Sequence, residues 1–196
     1  MTNAPPPSRP CAPRAGTAPP GYWYIGYKLF RDTPARFPVS FLAGDVFDPA
    51  FLAHTPVAPT KPAPPASPPP RLWATRTLTP LAGHVSAIHV ANLFQLFDEP
   101  AQRALAASLA GLLDARPGSM IFGSHVGLRT RGELRWPPAP DRWPMFCHSP
   151  ESWTAMWKDV FGDVPVQVEA HADEWVDFPD VRLEVAIKLH WSVVRL

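Results

Sequence analysis

Residues 84–127 read HVSAIHVANLFQLFDEPAQRALAASLAGLLDARPGSMIFGSHVG. An apolar run from Val85 to Ala91, interrupted by His89, predicts a strand, and its continuous rather than alternating character suits burial on both faces. Asp98 is a good helix N-cap and Pro100 fits the first turn. Ala101 to Leu113 is rich in Ala and Leu, with apolar residues at helical spacing. Pro117-Gly118 then stops the chain and turns it into a second apolar run, Met120 to Val126. A strand, a crossover helix and a strand in this order build parallel sheets.

Working back towards the N-terminus, residues 53–79 form a long connection crowded with proline, and Pro56 to Pro80 is one of two such regions. Each proline ring removes an amide donor and fixes φ, so this composition suits neither helix nor sheet interior. A disordered insert is predicted at about 54–79. Before it, Asp48-Pro49 starts a turn through Leu52, and Val39 to Ala43 predicts a short strand ending at Gly44-Asp45. Gly21 to Arg31 predicts an amphipathic helix with Trp23, Tyr27 and Phe30 on one face. Residues 1–20 form a Pro/Ala-rich tail, predicted to be disordered.

Working forward from Gly127, a loop carries Arg129, Arg131 and Arg135. Ser149 caps a helix from Pro150 to Val160, with Glu151 in its first turn. Val164 to Ala170 and Leu183 to Val194 predict two closing strands. No helix separates them, which favours an antiparallel pair. The alternation of strands and helices argues for a three-layer α/β domain, in which ligands sit outside the C-terminal strand ends.

Composition narrows the function classes. A net charge of +1 and the lack of a basic run give no reason to expect nucleic acid. No apolar run approaches the ~20 residues of a transmembrane helix, and the N-terminus has no apolar core of a signal peptide. The two cysteines, Cys11 and Cys147, make no disulfide framework. A soluble protein of a reducing, cytoplasmic compartment is expected.

The strings GYKLFRD (26–32), FLAGDVFDP (41–49), AIHVANLFQLFDE (87–99), PGSMIFGSHVG (117–127), MFCHSPESW (145–153) and WSVVRL (191–196) together resemble the fungal small-molecule methyltransferases that use S-adenosylmethionine. These are of the class I, Rossmann-like type found in basidiomycetes. The resemblance implies a mostly parallel sheet with an antiparallel C-terminal hairpin. It also implies S-adenosylmethionine as cofactor and a small secondary metabolite as methyl acceptor. Asp45 takes the place of the acidic residue that meets adenine, with Val46 and Phe47 packing beside it. Asn92, Leu93 and Gln95 match the segment at the sulfonium end, with Gln95 where relatives often carry histidine. His148 and Trp153, in CHSPESW, fall where acceptor contacts are expected. The family's glycine-rich loop after the first strand and the acidic residue after the second have no counterpart here. The expected fold therefore lacks its first two strands, residues 21–196 making a partial domain. Such a loss leaves an exposed strand edge that invites self-association.

Several residue types carry chemistry of their own. His125 lies at a strand end, where a neutral imidazole serves either as a general base near pH 7 or as a hydrogen-bonded structural group. Cys147 beside His148 has the elements of a thiolate pair, although neighbours in extended chain point opposite ways. Trp136, Trp143, Trp153 and Trp157 line an acceptor pocket or pack the core. His54, His84, His89, His125 and His148 follow no zinc spacing, and no metal is expected. Asp173, Glu174 and Asp177 read as an exposed acidic group. Two functions remain open on the sequence. One is methyl transfer from S-adenosylmethionine. The other is an inactive methyltransferase-like module, or an incomplete gene product, acting as an interaction protein.

Overall fold

A computed structural model describes residues 20–37, 39–59, 71, 74–135, 144–174 and 186–196. The Pro/Ala tail with Cys11, most of the proline-rich insert, Trp136, Trp143, Asp177, Leu183 and Val185 lie outside the described residues.

The strand–helix–strand unit forms as the sequence predicts. Strand β1 (Ala87–Ala91) pairs in parallel with β2 (Met120–Leu128), Ala87 opposite Met120 and Ala91 opposite Ser124. Helix α2 (Glu99–Leu112) crosses between them, and the Asp98 carboxylate accepts from the Ala101 N–H at 2.9 Å. Helix α3 (Pro150–Phe161) begins at Ser149 in a capping box closed by Ser152. The last two strands, β5 (Val166–Glu174) and β6 (Ala186–Arg195), are antiparallel, and β6 also runs antiparallel to β2. The sheet order is β1-β2-β6-β5. Its one parallel pairing and two antiparallel ones narrow the mostly parallel expectation, because the C-terminal hairpin supplies half of the described sheet.

The sheet is mixed α/β, but helices cover one face only among the described residues. Ile187, Leu189, Trp191 and Val193 alternate inward along β6 and pack with Ile121, Val90, Leu105, Leu109, Trp153 and Trp157. On the opposite face His89, Phe122 and His190 are exposed. The described part is thus two-layered rather than three-layered.

Two elements depart from the sequence reading. Val39–Ala43 carries no strand. No strand pairs with it among the described residues, and its apolar residues are used in side-chain packing instead. Phe41 stacks on Trp23 of helix α1 (Pro20–Leu29) at 4.9 Å, and Leu42 packs on the core. The arginine loop is not all loop: β3 (Gly132–Leu134) pairs with β4 (Met145–Cys147) as a second, two-stranded sheet.

Strand β1 lies at the sheet edge. Alternate residues of a strand turn their N–H and C=O to opposite sides. The Met120 N–H donates to Ser86 O and the Asn92 N–H donates to Ser124 O, so even-numbered residues face β2. Val85, on the other side, bonds the segment after α2: its N–H donates to Leu112 O and its carbonyl accepts from Asp114 N–H. Beyond that bridge, Ala87, His89 and Ala91 are exposed, and no strand flanks them among the described residues.

Candidate functional site

The chain leaves β1 through Asn92, whose φ of 51° places it in the left-handed region. Asparagine tolerates this better than most residues. A 3-10 turn, Phe94–Leu96, follows, then Phe97 and the start of α2. The turn is fixed from below by Phe94, which is fully buried among Trp153 (4.9 Å between rings), Trp191 (5.8 Å), His125 (5.9 Å) and Trp157 (6.2 Å). Leu93 packs against the same core. Gln95 is buried, and its Oε1 meets no hydrogen-bond donor among the described residues. The Asn92 side-chain oxygen accepts from Lys188 at 3.4 Å.

The Asp45–Leu52 turn comes to the same place. Asp45 Oδ1 accepts from the Phe47 N–H at 3.0 Å, and Asp48 Oδ1 accepts from Ala50 N–H at 2.9 Å, so two aspartates shape the turn. Val46 packs on the core. Phe47, 39% exposed, sets its ring edge-on to Phe97 at 4.8 Å. The Phe47–Phe97 contact therefore brings the Asp45–Leu52 turn to the segment that follows β1, at whose C-terminal end Asn92, Leu93 and Gln95 lie and where α/β sheets hold ligands.

His125, His148 and Trp153 form a second group beneath that turn. The rings of His125 and Trp153 lie 4.5 Å apart, and those of His148 and Trp153 lie 5.4 Å apart. All three are sealed from solvent. Trp191 Nε1–H donates to His125 Nδ1 at 3.0 Å, which assigns the proton of the neutral ring to Nε2. That Nε2 has no partner among the described residues. His148 Nδ1 pairs with Ser152 Oγ at 2.9 Å, tying the ring to the cap of α3. The role of Trp191 was not apparent in the sequence, where it is one apolar residue in an alternating strand.

Burial pushes the His125 pKa down to about 3, helped by His148 and Lys188. Burial, with Arg131 and Arg103, pushes His148 down to about 4. Both groups titrate near ~6.5 in an unfolded chain, which therefore takes up protons that the folded chain refuses. The stability they contribute is present above about pH 6.5 and is lost as pH falls towards about 4 and then about 3. Urea midpoints measured from pH 7.5 to 4.5 are expected to fall steadily. His125→Asn, which keeps an acceptor for Trp191 and removes the titration, should flatten that slope. An unchanged slope in the variant would assign the acid sensitivity to other groups.

Cys147 is buried with Val126, Leu128, Leu134 and Ala186, and burial pushes its thiol up to about 12. It is a core thiol rather than a thiolate. His148 turns the other way, its ring 5.2 Å from Phe146 and 5.4 Å from Trp153. Trp157 is likewise fully buried. Arg131 is more than a solvated loop residue, since it pairs with Glu99 at 3.1 Å and lies 6.0 Å over the Phe146 ring. Asp173 and Glu174 are exposed, and Asp173 stands 3.4 Å from His190. No helix among the described residues is long and apolar enough to cross a membrane.

No family model matches the chain. It is similar to two curated methyltransferases of Penicillium brasilianum, ausD and prhM. The identity to each is 28% over 97 residues, covering 50% of this chain and 34% of the relative. It is also similar to methyltransferase trt5 of Aspergillus terreus, with 20% identity over 153 residues, 78% of this chain and 46% of the relative. The matches thus span about a third to under half of the length of these relatives. The mixed α/β sheet with its parallel β1–β2 unit is consistent with a Rossmann-like fold.

Proposed function

We propose that this chain supplies the acceptor-side wall of a methyltransferase site that uses S-adenosylmethionine and methylates a small secondary metabolite. One observation supports this best. In a chain similar to methyltransferases, the Asp45–Phe47 turn and the Asn92–Phe97 segment meet at the C-terminal end of β1, joined by the Phe47–Phe97 contact. Asp45, Val46 and Phe47 would hold the adenine, and Asn92, Leu93 and Gln95 the sulfonium end. The residues fit that half of the cofactor. Phe47 is a half-exposed aromatic surface, and the unpaired Oε1 of buried Gln95 is an acceptor suited to a positive group. The cofactor, when bound, supplies an electrophilic methyl group.

What the protein contributes is alignment and exclusion of water. Gln95 cannot take a proton from the acceptor. His125, with Nδ1 occupied by Trp191, offers a ring N–H rather than a free lone pair, so its part is to order the site's floor. His148 and Trp153 reach an acceptor only if the Phe94–Leu96 turn lifts from them. The glycine-rich loop and ribose-binding acid of the resembled family would come from outside this set of residues.

The open side of β1 favours a second reading, an interaction module without activity that associates with itself through Ala87, His89 and Ala91. Calorimetric titration with S-adenosylmethionine separates the two. Micromolar binding, weakened about tenfold in Gln95→Leu by loss of a charge-directed contact, supports the methyltransferase reading. No heat at millimolar ligand, together with concentration-dependent sedimentation, overturns it in favour of the module.

A further inference from the structure

The first turn of helix α2 carries a buried polar side chain whose hydrogen bonds leave the helix. Gln102 is 1% exposed. Its Nε2 donates to the Phe97 carbonyl at 2.9 Å and to the Phe146 carbonyl at 2.7 Å. Two carbonyl oxygens as neighbours settle which end of the amide is the nitrogen. Both amide hydrogens are therefore used, and Oε1 meets no donor among the described residues. The side chain acts as a two-pronged donor.

The two carbonyls belong to different parts of the proposed site. Phe97 ends the segment that begins at Asn92, and its ring meets Phe47 at 4.8 Å. Phe146 lies in β4, two residues before His148, and its ring stands 5.2 Å from the His148 ring. The His148 carbonyl in turn accepts from the Leu128 N–H at 3.0 Å, which ties that segment to the end of β2. The Glu99–Arg131 pair also docks the β3–β4 sheet on the first turn of α2, but its side chains are 32% and 57% exposed. Such a pair contributes little, and it does not touch Phe97. Among the described residues, Gln102 is the side chain that hydrogen-bonds both segments.

An acceptor that loses its donor away from water costs more than the bond was worth. One planar amide thus holds the Phe97 and Phe146 carbonyls at a fixed separation. Methyl transfer needs donor and acceptor in line at near contact, and a misplacement of about 1 Å costs about a hundredfold. We propose that Gln102 is a positioning residue that couples the cofactor wall to the acceptor contact, passing a change at Phe97 through its amide to Phe146 and His148. The functional half of this inference rests on the methyltransferase reading above, and the coupling itself does not.

Native-state hydrogen exchange of the full chain tests it, with the Leu128 amide as the reporter of the His148 segment. Phe47→Ala removes the ring set against Phe97. In the parent it is expected to speed Leu128 exchange about tenfold, a coupling within the range for residues that share a network. Gln102→Met keeps the length of the side chain and removes both donors. In that background Phe47→Ala should change Leu128 exchange by less than about twofold. A glutamine with a merely structural role would raise exchange when replaced, yet leave the response to Phe47→Ala unaltered. The difference between the two backgrounds is therefore the measurement. Should Gln102→Met not fold, Gln102→Glu takes its place, since an ionised carboxylate has the same shape and no donor for either carbonyl. S-adenosylmethionine forms the second arm. Slower Leu128 exchange on its addition to the parent, absent from the Gln102 variant, extends the coupling to the cofactor. No calorimetric heat with S-adenosylmethionine sinks the methyltransferase reading, while the Phe47→Ala comparison still decides the coupling. Equal responses to Phe47→Ala in the two backgrounds, no response in either, or heat of cofactor binding with no change at Leu128 in the parent would each overturn the proposal.

Discussion

Trp153→Ala is expected to lower the unfolding free energy by about 3–5 kcal/mol, read as a drop in the urea midpoint by circular dichroism. The indole is fully buried and touches five aromatic rings: Phe94, His125, His148, Trp157 and Trp191, at 4.9, 4.5, 5.4, 5.9 and 5.0 Å between centroids. These come from the Phe94 turn, β2, β6, the segment before α3 and α3 itself, so no one element can move to close the hole. Cavities that cannot collapse carry the larger penalties. Against a total stability of about 5–15 kcal/mol, such a loss removes much of the folded population at modest denaturant. Trp153→Phe should cost far less. It keeps most of the buried surface and deletes an indole N–H that has no partner among the described residues. The pair of variants also bears on the acceptor role expected of Trp153. If its N–H meets an acceptor when the turn lifts, Trp153→Phe should fold well yet weaken acceptor binding. A loss in Trp153→Ala below about 1 kcal/mol, smaller than any large core truncation, would show that the aromatic cluster does not hold the helices to the sheet.

How much of this was legible in the sequence depends on the range of the interactions that decide each feature. Caps are local. Asp98 and Ser149 are followed by the amides they accept from within three residues, and both helices start where those residues place them. The strand–helix–strand unit was legible because a long apolar helix between two apolar runs has few other solutions. The antiparallel order of β5 and β6 followed from a connecting sequence that predicts no crossover helix. Features set by distant partners were not legible. Val39–Ala43 has strand composition but no strand beside it among the described residues, and β-propensity counts only when a partner exists. Strands β3 and β4 are three residues each, too short for periodicity to register. β5 continues through His171, Asp173 and Glu174 although those residues are polar, because its ladder is to β6 on one side and its outer face is solvated. At the candidate site, the resemblance implies that Asp45 and Asn92–Gln95 share one neighbourhood, and the Phe47–Phe97 contact joins the two segments. It did not reveal that Phe94 packs over His125 and Trp153, since that depends on which way a turn of three residues points its side chain.

Gly123→Ala is expected to be the most damaging single-methyl addition in the sheet, costing about 3 kcal/mol or more. Val90 of β1 lies opposite Gly123 in the parallel ladder. A Cβ at Gly123 would overlap the Val90 carbonyl oxygen, lie 2.7 Å from its carbon, and press on Trp191 Cζ2 at 3.3 Å. The first two are backbone atoms of the paired strand, so no rotamer change relieves them. β1 must separate from β2 or shift along it. Either movement breaks the bond from Asn92 N–H to Ser124 O, at 2.8 Å the last ladder bond before the 3-10 turn. Freed from that bond, Asn92 loses the anchor of its left-handed conformation, and Leu93 and Gln95 lose the placement that the ladder gives them. The consequence therefore reaches the proposed cofactor wall as well as the fold. Native-state hydrogen exchange should show the Asn92 amide deprotected in Gly123→Ala, with the β5–β6 amides retaining more of their protection, and titration with S-adenosylmethionine should lose its heat. Gly132→Ala is the matching control. A Cβ there meets nothing within 4 Å, and the change should leave the urea midpoint within about 0.5 kcal/mol of the parent. Were Gly123→Ala to unfold at the parent midpoint with Asn92 still protected, the close approach of β1 to β2 would be wrong, and with it the placement of Asn92, Leu93 and Gln95 on which the methyltransferase reading depends.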